Sequence, residues 1–96
     1  MTMIITSERF LPGDIVITPG VKAALLSDEA FHGLVRHLAG DWGELDEHDR
    51  KQNEAALDHG FRLLSRYVTP GGTKFYVITE HDRSVTTIRC RKSTDR

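Results

Sequence analysis

One cysteine, three prolines and seven aromatic residues are all that this 96-residue chain carries of those types. A single cysteine, Cys90, forms no internal disulfide and supplies no metal cluster, which predicts a reducing, cytoplasmic setting. No apolar run approaches the roughly 20 residues that cross a bilayer, so no membrane association is expected. Met1 to Phe10 lacks a basic start, a long apolar stretch and a small-residue cleavage site, so no secretion signal is expected. The glycines are scattered, with neither a phosphate-cradling loop nor a dinucleotide fingerprint. No nucleophile elbow surrounds Ser65 or Ser84, and no cysteine–histidine signature surrounds Cys90. There is little net charge: 13 basic residues oppose 14 acidic ones, leaving −1. A strong positive field of the kind that nucleic-acid binding needs is therefore missing.

What remains is the material of one small domain. The hydrophobic fraction is 39%, and it falls in periodic segments rather than being diluted as in disordered chains. A chain of this length buries roughly two-thirds of its unfolded surface, enough for one two-layer core. Residues 13–90 are read as that domain, with 1–12 as a partly flexible extension and 91–96 as a basic tail.

Charge is segregated along the chain. Between Asp28 and Asp58 nine carboxylates face three cations, a net of −6, whereas from Phe61 onward eight cations face three carboxylates, a net of +5. No repeat or low-complexity tract divides the two halves.

The fold class is read as α+β: a short N-terminal strand and two main helices packed on a three-stranded antiparallel meander. Asp14-Ile15-Val16-Ile17 after Pro12-Gly13 is the strand. Thr18-Pro19 opens a short helix to about Leu26. Ser27-Asp28-Glu29 starts the first main helix, with Phe31, Leu34, Val35 and Leu38 on one face and Gly40 as its stop. Asp46 caps the second, and Gly60 ends it. The apolar stripe of that helix is thin and places it at an edge of the core. Phe61 to Val68, Lys74 to Thr79 and Ser84 to Cys90 are rich in β-branched and aromatic residues and form the meander. Pro70-Gly71 suits a type II turn, and His81-Asp82-Arg83 makes the second connection. The expected core is Ile15, Ile17, Leu25, Phe31, Leu34, Val35, Leu38, Leu57, Leu63, Val77, Ile78, Val85 and Ile88. Strand alternation allows only one of Val77 and Ile78 to face the helices.

The run Gly40-Asp41-Trp42-Gly43 and the segment Asn53 to Tyr67 with Arg62-Leu63-Leu64-Ser65 carry a resemblance. So do Ile78-Thr79-Glu80 and Asp82-Arg83-Ser84-Val85-Thr86-Thr87. Over about Gly13 to Ile88 the chain resembles a family of small bacterial plasmid-related proteins, often encoded on plasmids and integrative elements. Members usually end in an apolar and acidic stretch, where this chain has Arg89-Cys90-Arg91-Lys92. The resemblance brings no activity and no catalytic residues. It implies an accessory gene on mobile DNA, a setting that includes inhibitors of host defence such as anti-CRISPR proteins, toxins and antitoxins.

Candidate chemistry is sparse. His32 and His37 are five residues apart on one helix, so they point about 140° apart. His48 and His59 are eleven apart, and neither pair has the spacing of a helical zinc site. No metal or cofactor is expected, and the histidines read as polar surface. Cys90, flanked by Arg89 and Arg91, is a reactive thiol at most and a modest strand residue in the plainer reading.

The acidic segment suggests a binding protein rather than an enzyme. Asp41, Glu44, Asp46, Glu47 and Asp49, with Trp42 as an aromatic anchor, form the expected surface for a basic host protein or complex. The plainer reading of Trp42 is a plug at the end of the core. A second reading is a small RNA-cleaving or RNA-binding toxin using Tyr76, His81 and Arg83, with Arg89, Arg91 and Lys92 on phosphates. The weak positive field argues against nucleic acid. A third is a homodimer in which the acidic half of one copy pairs with the basic half of another.

Overall fold

The computed structural model describes residues 9–90. Its elements, in chain order, are β1 (Asp14–Ile17), α1 (Pro19–Ala24), α2 (Ser27–Leu38), α3 (Glu47–His59), β2 (Leu63–Val68), β3 (Lys74–Thr79) and β4 (Val85–Arg89). The class is α+β. The meander β2-β3-β4 is antiparallel throughout, and β1 joins it in parallel alongside β4, giving one mixed sheet of order β1-β4-β3-β2. The expected three-stranded sheet is thus four-stranded. A short strand with both neighbours' backbone groups unpaired gains a ladder by docking on the meander's free edge.

At α3 the local signals act where they were expected. The Asp46 carboxylate accepts from the Asp49 amide at 2.9 Å to open α3, and Gly60, at φ 74°, ends it in the left-handed conformation. At the N-terminus of α2 the amide of Leu26 donates to Glu29 Oε1 at 2.9 Å, so the N-cap is Leu26 and not Ser27. The turn Thr69–Gly72 does centre on Pro70-Gly71, but the left-handed residue is Gly72 at φ 93°. That is the arrangement of a type I turn followed by a bulge, rather than type II.

Helices α1 and α2 lie on one face of the sheet, and α3 runs along its β2 edge, with Ala56 packed toward Leu63 and Asn53 bonded to the Leu64 backbone. Leu63, Ser65, Tyr67, Phe75, Val77, Thr79, Thr86 and Ile88 are buried on that covered face. Here α2 is rotated from the expected orientation: Ala30, Gly33, His37 and Leu38 point inward while Phe31 is 44% exposed. Gly33 lets the helix lie against the Phe75 and Tyr67 rings, since a Cβ there would come within 2.6 Å of Phe75. Periodicity alone cannot separate two stripes that share Leu34 and Leu38, and close packing of the small residues selects this one.

Two further expectations about the core change. Ile15 and Ile17 are substantially exposed, because β1 is an edge strand beyond the reach of the helices. Val77 and Ile78 are both buried, on opposite faces, with Ile78 between Leu64 and Thr87 in register on the face without helices. The body also begins earlier than Gly13. Arg9 forms a paired salt bridge with Glu54, and Phe10 packs on His37 and Trp42 with centroids 5.2 and 6.4 Å away.

Candidate binding surface

The most organised polar group lies inside. His37 is fully buried, with Nδ1 2.5 Å from Ser65 Oγ and Nε2 2.9 Å from Thr79 Oγ1. Thr79 continues to Thr86 Oγ1 at 2.7 Å, and Thr86 donates to the carbonyl of Pro12 at 2.7 Å. A carbonyl only accepts, which orients every proton along the chain. Thr86 gives its hydrogen to Pro12, so it accepts from Thr79. Thr79 then accepts from His37 Nε2–H, and Nδ1 accepts from Ser65. His37 is therefore the neutral Nε2–H tautomer. Burial, reinforced by the positive charge of Arg83, pushes its pKa down to about 3.

A serine donating to a histidine is the arrangement of a nucleophile and its base. Here both residues are without solvent exposure. Neither lines the cleft between α2 and the Thr69–Pro70 turn or the clefts beside Leu45 and Leu64. The relay ties β2, β3, β4 and the approach to β1 together. The sequence reading placed His37 on the surface; what buries it is the small-residue stripe of α2.

The expected acidic surface divides into residues the fold uses and residues it leaves free. Trp42 is only 2% exposed, and its Nε1 donates to Glu54 at 2.9 Å. The indole fills the cluster of Ala56 and Leu63 and offers no face to a partner, so it is the core plug and not the anchor. Asp41 is held by Arg36 through two bonds of 2.7 and 3.2 Å, which keeps its carboxyl below the usual range. Asp46 spends one oxygen capping α3. Glu44, Asp46, Glu47 and Asp49 make no ion pair among the described residues. Glu44, Asp46 and Asp49 line a cleft of about 180 Å³ with Leu45, Leu64, Arg66 and Tyr76.

That cleft opens onto the sheet face without helices. Arg66, Tyr76 and Arg89 stand in direct cross-strand register there, one residue from each strand of the meander. The Nε atoms of both arginines are buried without hydrogen-bond partners. Sequence reasoning named Tyr76 and Arg89 but missed Arg66, whose place emerges only once β2 is registered on β3.

His81 and Arg83 do not join this row. They lie on the β3–β4 connection, at the other end of both strands. Arg83 sits at φ 59° and spends its guanidinium on the carbonyls of Ala56, Phe61, Glu80 and His81. It fastens the connection to the end of α3 and turns its guanidinium toward the chain's own carbonyls. Arg91 and Lys92 lie outside the described residues. Cys90 is half-buried against the main core cluster. Among the described residues, no three His, Cys, Asp or Glu side chains converge as a metal site. No helix among them is long and apolar enough to cross a membrane. Compared with protein-family models, curated proteins and solved structures, the chain shows no match.

Proposed function

We propose that the chain is a non-catalytic binding module whose acidic cleft, at the start of α3, takes a basic segment of a partner protein. One observation carries this reading: Glu44, Asp46 and Asp49 gather without ion-pair partners among the described residues in a cleft shared with Leu45, Leu64, Tyr76 and a single cation, Arg66, while Asp41 and Glu54 are already paired. Carboxylates beside Leu45, Leu64 and Tyr76 suit a lysine or arginine side chain, whose aliphatic stem packs while its head is neutralised. Glu47 extends the field outside the cleft and steers the encounter. Blocking a basic, nucleic-acid-binding surface of a host defence complex, as an anti-CRISPR protein does, is the specific form of this reading. That form rests on the family resemblance alone.

The test is capture from nuclease-treated bacterial lysate by the chain and by the triple variant Glu44→Lys, Glu47→Lys, Asp49→Lys. A stoichiometric partner retained by the first, lost by the second and released in high salt is the expected result. Equal retention by the triple variant overturns the acidic-cleft reading.

The Arg66–Tyr76–Arg89 row favours a second reading, a single-stranded nucleic acid with its phosphates on the guanidiniums and a base on the tyrosine. The neighbouring carboxylates oppose it by repelling phosphates. Binding of a labelled single-stranded RNA that falls at least tenfold in Tyr76→Ala and Arg89→Ala would move the weight to this reading.

A further inference from the structure

We propose that β1 is a self-pairing edge, through which two copies of the chain join about a two-fold axis into one continuous sheet. The ladder to β4 uses alternate residues of β1: the Asp14 amide donates to Ser84 at 3.0 Å and the Thr18 amide to Ile88 at 3.1 Å. By the two-residue alternation of a strand, Ile15 and Ile17 turn their N–H and C=O groups outward. Their side chains and that of Val16 are 41%, 38% and 44% exposed, so the edge is apolar on both faces. Edge strands are ordinarily blunted by lysine, proline or a bulge, and Asp14–Ile17 has none of these.

The residues around Val16 read the same in both directions, Ile-Val-Ile, which is what a two-fold axis requires. Antiparallel pairing centred on Val16 sets Ile15 opposite Ile17 of the second copy as a hydrogen-bonded pair, and the reverse, for four bonds in all. Val16 then meets Val16 at the axis as a non-hydrogen-bonded pair, where side chains approach most closely. Asp14 falls opposite Thr18, so no like charges meet. The opposite edge decides the size of the assembly. On β2 the backbone of Leu64 is occupied by the Asn53 side chain, and that of Arg66 by Trp42 and Glu44. With that edge closed, pairing through β1 stops at two copies. The patch is small beside the roughly 1,600 Å² of a standard interface, so the dimer is weak and visible by its concentration dependence.

Sedimentation equilibrium of the full chain across a thousandfold range of concentration tests this. The expected result is a rise from 10.8 kDa toward twice that mass, undiminished by high salt. Slowed amide exchange at Ile15 and Ile17 should accompany the dimer. Ile17→Pro removes an outward N–H that the chain's own ladder does not use, and should weaken the dimer at least tenfold while leaving the circular dichroism native. Val16→Lys sets two like charges at the axis and should do the same, which keeps the test intact should the proline variant not fold. A mass fixed at the monomer value overturns the proposal. So does a dimer that dissolves in salt, since paired acidic and basic halves would do that. A dimer that survives Val16→Lys unchanged, or leaves the Ile15 and Ile17 amides exchanging freely, also overturns it.

Discussion

Along β2, the amide and carbonyl of Leu64 are taken by the two ends of the Asn53 side-chain amide, at 3.1 and 2.6 Å. Those of Arg66 are taken by Trp42 and Glu44 across an isolated bridge at Gly43. Along β1, nothing in residues 9–90 meets the outward groups of Ile15 and Ile17. One edge of the sheet is thus closed by a side chain that imitates a peptide group and by a loop that imitates a strand, while the other is bare among the described residues. The difference teaches where the sequence has invested. The closed edge depends on one buried asparagine and one glycine that admits a close approach, whereas the bare edge is kept short and symmetric.

Breaking the closed edge should have the largest effect. Gly43 sits at φ 77°, and a Cβ there would run into the Arg66 carbonyl oxygen and the Tyr67 ring. Gly43→Ala should therefore cost about 3 kcal/mol or more, read by urea unfolding, and assemblies larger than dimers should appear as β2 becomes available. Asn53→Ala leaves the loop in place but strips both partners from Leu64. A loss of about 2–3 kcal/mol is expected, and unchanged stability would mean that water replaces the asparagine without cost.

Acid sharpens the comparison from another side, because the relay through His37 runs from Ser65 on β2 to Pro12 just ahead of β1. The folded-state pKa of His37 is lowered to about 3 from an ordinary value of 6.5. Between those values the unfolded chain binds the extra proton. The stabilisation is therefore complete above pH 6.5 and is lost as pH falls toward 3, by up to about 1.4 kcal/mol per pH unit. His37→Gln should flatten that dependence. In the native chain, β1 amides should show the earliest rise in exchange on acidification. The smallest effect belongs to the free acids: Glu44→Lys and Glu47→Lys should each change stability by no more than about 0.5 kcal/mol. A larger change would show that these acids serve the fold and not a partner.

Much of the fold was legible because its signals are local. The cap at Asp46, the stop at Gly60, the breakers at Pro12-Gly13 and Pro70-Gly71, and the alternation in β3 each act within a few residues. The site was less legible. Asp41 and Trp42 stand beside Glu44 in sequence, yet Arg36 takes the first, the core takes the second, and only Glu44 faces solvent unpaired. His37 read as a surface histidine because nothing within its own helix distinguishes an exposed imidazole from one hydrogen-bonded at both nitrogens. The partners that decide the matter lie 28 and 42 residues away. Tyr76 and Arg83 are seven residues apart and were read as one group, but the strand between them carries them to opposite ends of the sheet.

By itself, then, the sequence determined the order of strands, helices and turns, the segregation of charge and the α+β class, because caps, breakers and periodicity work at short range. Only the tertiary structure decided that β1 lies beside β4 at the end of the sheet, and that Trp42 and His37 are inside. It also decided that Arg66, Tyr76 and Arg89 form one row. Those outcomes turn on which distant groups complete each other's hydrogen bonds and fill each other's space, and such complementarity is a property of three-dimensional packing.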